Sequence, residues 1–103
     1  MPIAFYPQRY LDIKASKPHP QGTTYRVSVG WENWGDDEMK RVLKVQMVYD
    51  GRVTGRKVPS YPEASNDFEE VMKAVQRVKK GEGLSGRWKI FPAGGEVVEP
   101  ENE

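Results

Sequence analysis

Two alternating runs constrain this chain more than anything else in it. Tyr25, Val27, Val29 and Trp31 recur at every second position, and so do Leu43, Val45, Met47 and Tyr49. A period of two gives β-strands with one buried face, because successive side chains point to opposite sides. Between the runs lies the charged stretch Gly35-Asp36-Asp37-Glu38-Met39. A loop over residues 35–39 sets Trp31 against Leu43, Val29 against Val45, Val27 against Met47 and Tyr25 against Tyr49. A loop one residue shorter sets apolar residues against polar ones along the whole ladder, since a one-residue slip flips every side chain. The second strand therefore covers residues 24–34 and the third 40–48.

The rest of the chain arranges itself around this pair. Leu11, Ile13 and Ala15 alternate with Tyr10, Asp12 and Lys14, which gives a first strand from Arg9 after an irregular arm over residues 1–8. Asp50-Gly51 turns the chain into a fourth strand. A plain two-residue turn there puts Arg52, Thr54 and Arg56 on the buried face, and burying arginines is costly. A three-residue loop that pairs Met47 with Val53 avoids this and is expected. Asn66 and Glu69 have capping-box spacing, and Phe68, Val71, Met72, Val75 and Val78 recur at helical spacing. Lys79 and Lys80 suit the negative end of that helix, and Gly81 stops it. Residues 87–91 form a short edge strand or a docked segment. The expected fold is α+β, β-β-β-β-α in order. A curved antiparallel sheet of four to five strands carries one amphipathic helix on one face, with a short extra strand after the helix.

Composition sets the outer limits. A chain of 103 residues makes one domain, placed at residues 1–91, with the Gly/Pro/Glu-rich stretch 92–103 as a disordered acidic tail. A domain this small hides only about 60–70% of its unfolded surface, so pairing as a homodimer favours it. The absence of cysteine removes disulfides, Cys-based zinc sites and thiol nucleophiles. Met1-Pro2-Ile3 does not begin a signal peptide, and no run approaches the ~18 apolar residues of a membrane span. A cytoplasmic location without a membrane partner is the expectation.

No catalytic constellation emerges. Gly81-Glu82-Gly83-Leu84-Ser85-Gly86 has the Gly-x-Gly-x-x-Gly spacing, but it follows a helix, whereas a dinucleotide loop follows a strand and opens a helix. A flexible helix-to-strand link is the better reading. His19 is the only histidine and lies between two prolines, as a surface residue would. Asp36, Asp37 and Glu38 lack calcium-loop spacing. A protein that is not an enzyme, with no cofactor and no metal, is expected.

The outer face of the sheet carries the functional reading. Net charge is only +1, yet residues 1–61 hold ten Lys/Arg against six Asp/Glu. With the registers above, Arg26, Lys40, Lys44, Arg52 and Arg56 share the outer face, Trp34 stands at its edge and Lys57 adjoins it. Cations to hold phosphates and rings to stack bases (Trp34 and Tyr10) are what a single strand of nucleic acid needs. The plainer reading is a solvated polar face that confers only solubility.

The string Tyr25-Arg26-Val27-Ser28-Val29, the long third strand and Gly55-Arg56-Lys57 ahead of the helix carry a resemblance over residues 24–80. The chain resembles the single-stranded-DNA-binding transcriptional coactivators of the positive cofactor family and the related plant Whirly proteins. That resemblance implies a curved antiparallel sheet with a helix on one face and single-stranded DNA on the other, in dimers or larger assemblies. It places Arg56 and Lys57 at the family's basic pair and Arg26 near a basic strand position. The chain departs from the pattern in its extra first strand, its short Asp50-Gly51 turn and its lack of a basic flank. The function expected is non-catalytic binding of single-stranded nucleic acid, DNA rather than RNA, in transcription or replication. The alternative is a protein-interaction module with no nucleic-acid role.

Overall fold

The computed structural model describes residues 5–35, 38–55 and 57–86. Strands β1 (Phe5–Lys14), β2 (Thr23–Asn33), β3 (Met39–Tyr49) and β4 (Arg52–Thr54) precede helix α1 (Asp67–Lys79), and β5 (Leu84–Ser85) follows it. They form one antiparallel sheet in the order β4-β3-β2-β1-β5. The fold is α+β, with the helix after the main strands, as the periodicities require. No helix among the described residues is long and apolar enough to cross a membrane.

The central ladder keeps the expected parity but slides by two residues. Tyr25 pairs with Met47, Val27 with Val45, Val29 with Leu43, Trp31 with Arg41 and Glu32 with Lys40. The loop has the expected length, but it begins at Trp34, so Asn33 pairs with Met39. Parity is enforced by burial, since Tyr25, Val27 and Met47 are fully buried. A slide of two residues leaves every side chain on its own face, so alternation cannot detect it.

The Asp50-Gly51 turn differs from expectation. Tyr49 pairs with Arg52 and Val48 with Val53 across two residues whose φ angles are +54° and +82°. Both lie in the left-handed region, the conformation of a type I′ hairpin turn, which Asp-Gly favours. Arg52 and Thr54 consequently share the helix side of the sheet. Arg52 is nevertheless exposed, because the helix packs chiefly on β1 and β2, toward the opposite edge of the sheet from β4. The assumption that the whole helix-side face would be buried is what failed.

The first strand is longer than expected and takes in half of the arm. It runs from Phe5, with a bulge between Pro7 and Arg9 that tolerates the proline. Gly30 lies opposite Pro7, where a Cβ would sit 2.8 Å from Pro7 Cα and 3.0 Å from the Phe5 ring. The glycine-rich link after the helix forms β5 against Arg9 and Tyr10, so it is an ordered edge and not a flexible tether. The expected segment 87–91 and tail 92–103 lie outside the described residues.

The core joins Ala15, Tyr25, Val27, Val29 and Met47 to Val71, Ala74 and Val78 of α1. The small Ala74 moves the buried stripe toward itself, leaving Phe68 and Met72 exposed. The expected capping box does not form, since Asn66 makes no side-chain cap bond. Instead Ser65 Oγ accepts from Asp67 N at 3.2 Å. Asp67, 4% exposed, accepts hydrogen bonds from Ser16 N (2.8 Å), Ser16 Oγ (2.5 Å) and Tyr25 O–H (2.7 Å). Burial by itself raises the Asp67 pKa, but these donors outweigh it and leave the carboxyl below its ordinary value. Burial first, and Asp67 second, push the Tyr25 phenol well above its usual range. At the other end, Gly81 takes φ +107°. Glu82 N bonds Arg77 O and Gly81 N bonds Val78 O, the paired contacts of a Schellman stop.

Candidate nucleic-acid interface

The outer face is built from the residues that alternate with the core set. On β2 and β3 the cross-strand pairs are Arg26–Gln46, Ser28–Lys44 and Glu32–Lys40. On β1, Asp12 stands beside Arg26, Tyr10 beside Ser28 and Phe5 beside Glu32. The structure thus brings Arg26, Lys40 and Lys44 together on one face, with Trp34 in the turn next to Lys40.

Each cation there meets both a carboxylate and a ring. Arg26 Nε and Nη2 donate to the two Asp12 oxygens at 2.8 and 2.9 Å, and its guanidinium lies 4.1 Å from the Tyr10 ring centroid. The Asp12 hydrogen bonds raise the Arg26 pKa against the opposing effect of burial. Lys44 Nζ pairs with Glu32 and lies 5.0 Å from the Phe5 centroid. Lys40 Nζ is 3.3 Å from Glu38 Oε2 and 5.9 Å from the Trp34 centroid. Trp34 Nε1 donates to Glu32 Oε1 at 2.7 Å, so Glu32 ties Trp34 to Lys44.

These pairs modify the bare basic face drawn from sequence. Glu32, only 7% exposed, lies on the same face as Lys44, whose long side chain reaches it although Ser28 is its cross-strand partner. Asp12 reaches Arg26 because β1 lies beside β2. Partly exposed ion pairs of this kind contribute about 0–1 kcal/mol, so a phosphate can take the place of Asp12 or Glu38 at small cost. Trp34, 55% exposed, offers a ring surface at the edge.

The remaining expected site residues do not join this group. Arg52 points to the helix side, for the turn geometry given above. Lys57 is exposed in the loop after β4, and Arg56 lies outside the described residues. His19 braces that loop: its Nε2 is 2.7 Å from Ser60 O, where it donates, and its ring meets Tyr25 edge-on at 5.7 Å. Among the described residues no three His, Asp or Glu side chains gather as a metal site.

Three residues that alternation did not single out form a second cationic group on the helix side: Arg9, Arg41 and Lys79 line a common cavity. Arg41 lies two positions from Leu43 and so shares its face, which was the available signal. Comparison with protein-family models, curated proteins and solved structures finds no match to this chain.

Proposed function

We propose that the protein is a non-catalytic module that binds single-stranded nucleic acid, DNA rather than RNA, through the outer face of its sheet. One observation carries this reading: three cation–ring couples, Arg26 with Tyr10, Lys44 with Phe5 and Lys40 with Trp34, share that face. Phosphates would exchange with the carboxylates on the cations, and bases would stack on Trp34 and on rings uncovered as the cations turn outward. The likeness to the coactivator and Whirly proteins points the same way. Assembly as a homodimer belongs to this reading, supported by Leu43, Phe68 and Met72, which α1 and β3 leave exposed.

Titration of labelled oligo-dT and duplex at two salt concentrations, with mass measured by light scattering, tests it. Three neutralised phosphates give a slope of log K on log salt of about −2 for a single strand. The double substitution Arg26→Gln with Lys44→Gln should remove binding while circular dichroism stays unchanged. Equal affinity for duplex, or retained affinity in the double variant, sinks the reading.

A further inference from the structure

The cavity on the helix side is lined by Arg9, Val29, Arg41, Val42, Leu43 and Lys79, with a volume of about 300 Å³. Two of its cations are held in place without any carboxylate. Arg9 Nε donates to Val78 O at 2.9 Å, at the C-terminal end of α1. The Arg41 guanidinium lies 4.9 Å from the Trp31 ring centroid. Lys79 comes from the last turn of the helix. Among the described residues none of the three forms an ion pair. Arg9 and Arg41 face one cavity, and burial, then the charge of Arg9, lower the Arg41 pKa.

Like charges held together without a counterion raise the free energy of the folded chain, and an anion between them removes that cost. Guanidinium groups fixed through Nε or through a ring keep terminal N–H groups for oxygen acceptors, and that planar fork fits phosphate oxygens two at a time. Three positive charges match a dianion better than a monoanion. The cavity lies at the small end of ligand sites, which favours a compact molecule. We propose that Arg9, Arg41 and Lys79 form a binding site for the phosphomonoester dianion of a small organic phosphate. The site is on the opposite side of the sheet from the cation–ring couples and does not depend on them.

The test follows the Arg Nε–H resonances of the full chain by NMR while glycerol 3-phosphate is added at low salt. Saturable shifts of Arg9 and Arg41 in the millimolar range are expected. Dimethyl phosphate, a monoanion of similar size, should bind at least about tenfold more weakly, a difference of about 1.4 kcal/mol. Arg41→Gln and Lys79→Gln, both at exposed positions, should each weaken binding about tenfold, with Arg41→Lys falling between. Lys44→Gln on the outer face should leave it unchanged. Absence of saturable shifts, dimethyl phosphate binding as tightly as glycerol 3-phosphate, or unaltered binding in both Gln variants would overturn the proposal. A phosphate site without oligonucleotide binding would leave this inference standing and remove only the nucleic-acid reading.

Discussion

The two faces of the sheet treat charge in opposite ways. On the outer face each of the three cations has a carboxylate beside it: Asp12 for Arg26, Glu32 for Lys44 and Glu38 for Lys40. On the helix side the charges are kept apart. Asp67 starts α1 and is satisfied by neutral donors, while Arg9, Arg41 and Lys79 gather near its end, about 20 Å away by helix rise. Both placements suit the helix, whose N-terminus favours an acid and whose C-terminus favours cations. The lesson is that a basic face drawn from strand alternation can be largely neutralised in space, whereas an unpaired cationic group can sit where alternation predicts only core.

The difference can be broken most severely at Asp67. Asp67→Ala leaves Ser16 N–H and Ser16 O–H without their acceptor and Tyr25 O–H with Ser60 O alone, and should cost about 3 kcal/mol in urea unfolding. The same group sets an acid limb. Its folded pKa lies below the unfolded value, so its contribution is complete above about pH 4 and is lost as pH falls through the folded pKa. Asp67→Asn should flatten the dependence of the urea midpoint on pH in that window. An unchanged acid limb would show that other carboxylates govern it.

Next in size is Gly30→Ala, which tests how the outer face is closed. The new methyl would press on the β1 backbone and on Phe5, the ring over Lys44. Overpacking of this sort costs about 2 kcal/mol, readable as a fall in thermal midpoint. Wild-type stability would mean that β1 shifts freely and that Phe5 does not define the face.

Glu32→Gln sharpens the contrast by making Lys44 unpaired, as the cations across the sheet already are. If the nucleic-acid reading holds, oligo-dT affinity at low salt should rise about fivefold, the equivalent of about 1 kcal/mol. No gain in fluorescence anisotropy titrations would count against phosphate exchange at Lys44. The smallest effect belongs to Arg26→Lys. It loses the two-oxygen contact with Asp12 and part of the contact with Tyr10, for about 0.5 kcal/mol of stability. A loss several times larger would show that this pair holds β1 to β2.

Much of this architecture was legible from the residue order. The runs at Tyr25–Trp31 and Leu43–Tyr49, the parity of their pairing, the loop length between them and the stop at Gly81 all follow from local periodicity and turn chemistry. The capping box did not form, because Asn66 and Glu69 match a pattern while Ser65 supplies the oxygen that bonds Asp67 N. The site was less legible than the fold. Arg26, Lys40 and Lys44 were placed on the correct face, but their pairing with Asp12 and Glu32 depends on which strands lie side by side and on how far each long side chain reaches along the face. Arg52 was misplaced because the width of the helix cover, not the pattern of β4, decides whether a helix-side arginine is buried.

The sequence by itself determined which residues alternate, and therefore which side of its own strand each of them occupies. That follows because backbone geometry fixes the direction of every side chain within an element. Only the tertiary structure decided that Asp12 meets Arg26, that Glu32 meets Lys44, and that Arg9, Arg41 and Lys79 converge with no acid of the described residues paired to them. Such contacts join residues far apart in the chain, and their distances depend on register and on where α1 comes to rest. The outer face was drawn as basic from the registers of three strands; assembled, it is a face of paired charges, and the cations unpaired among the described residues lie behind it.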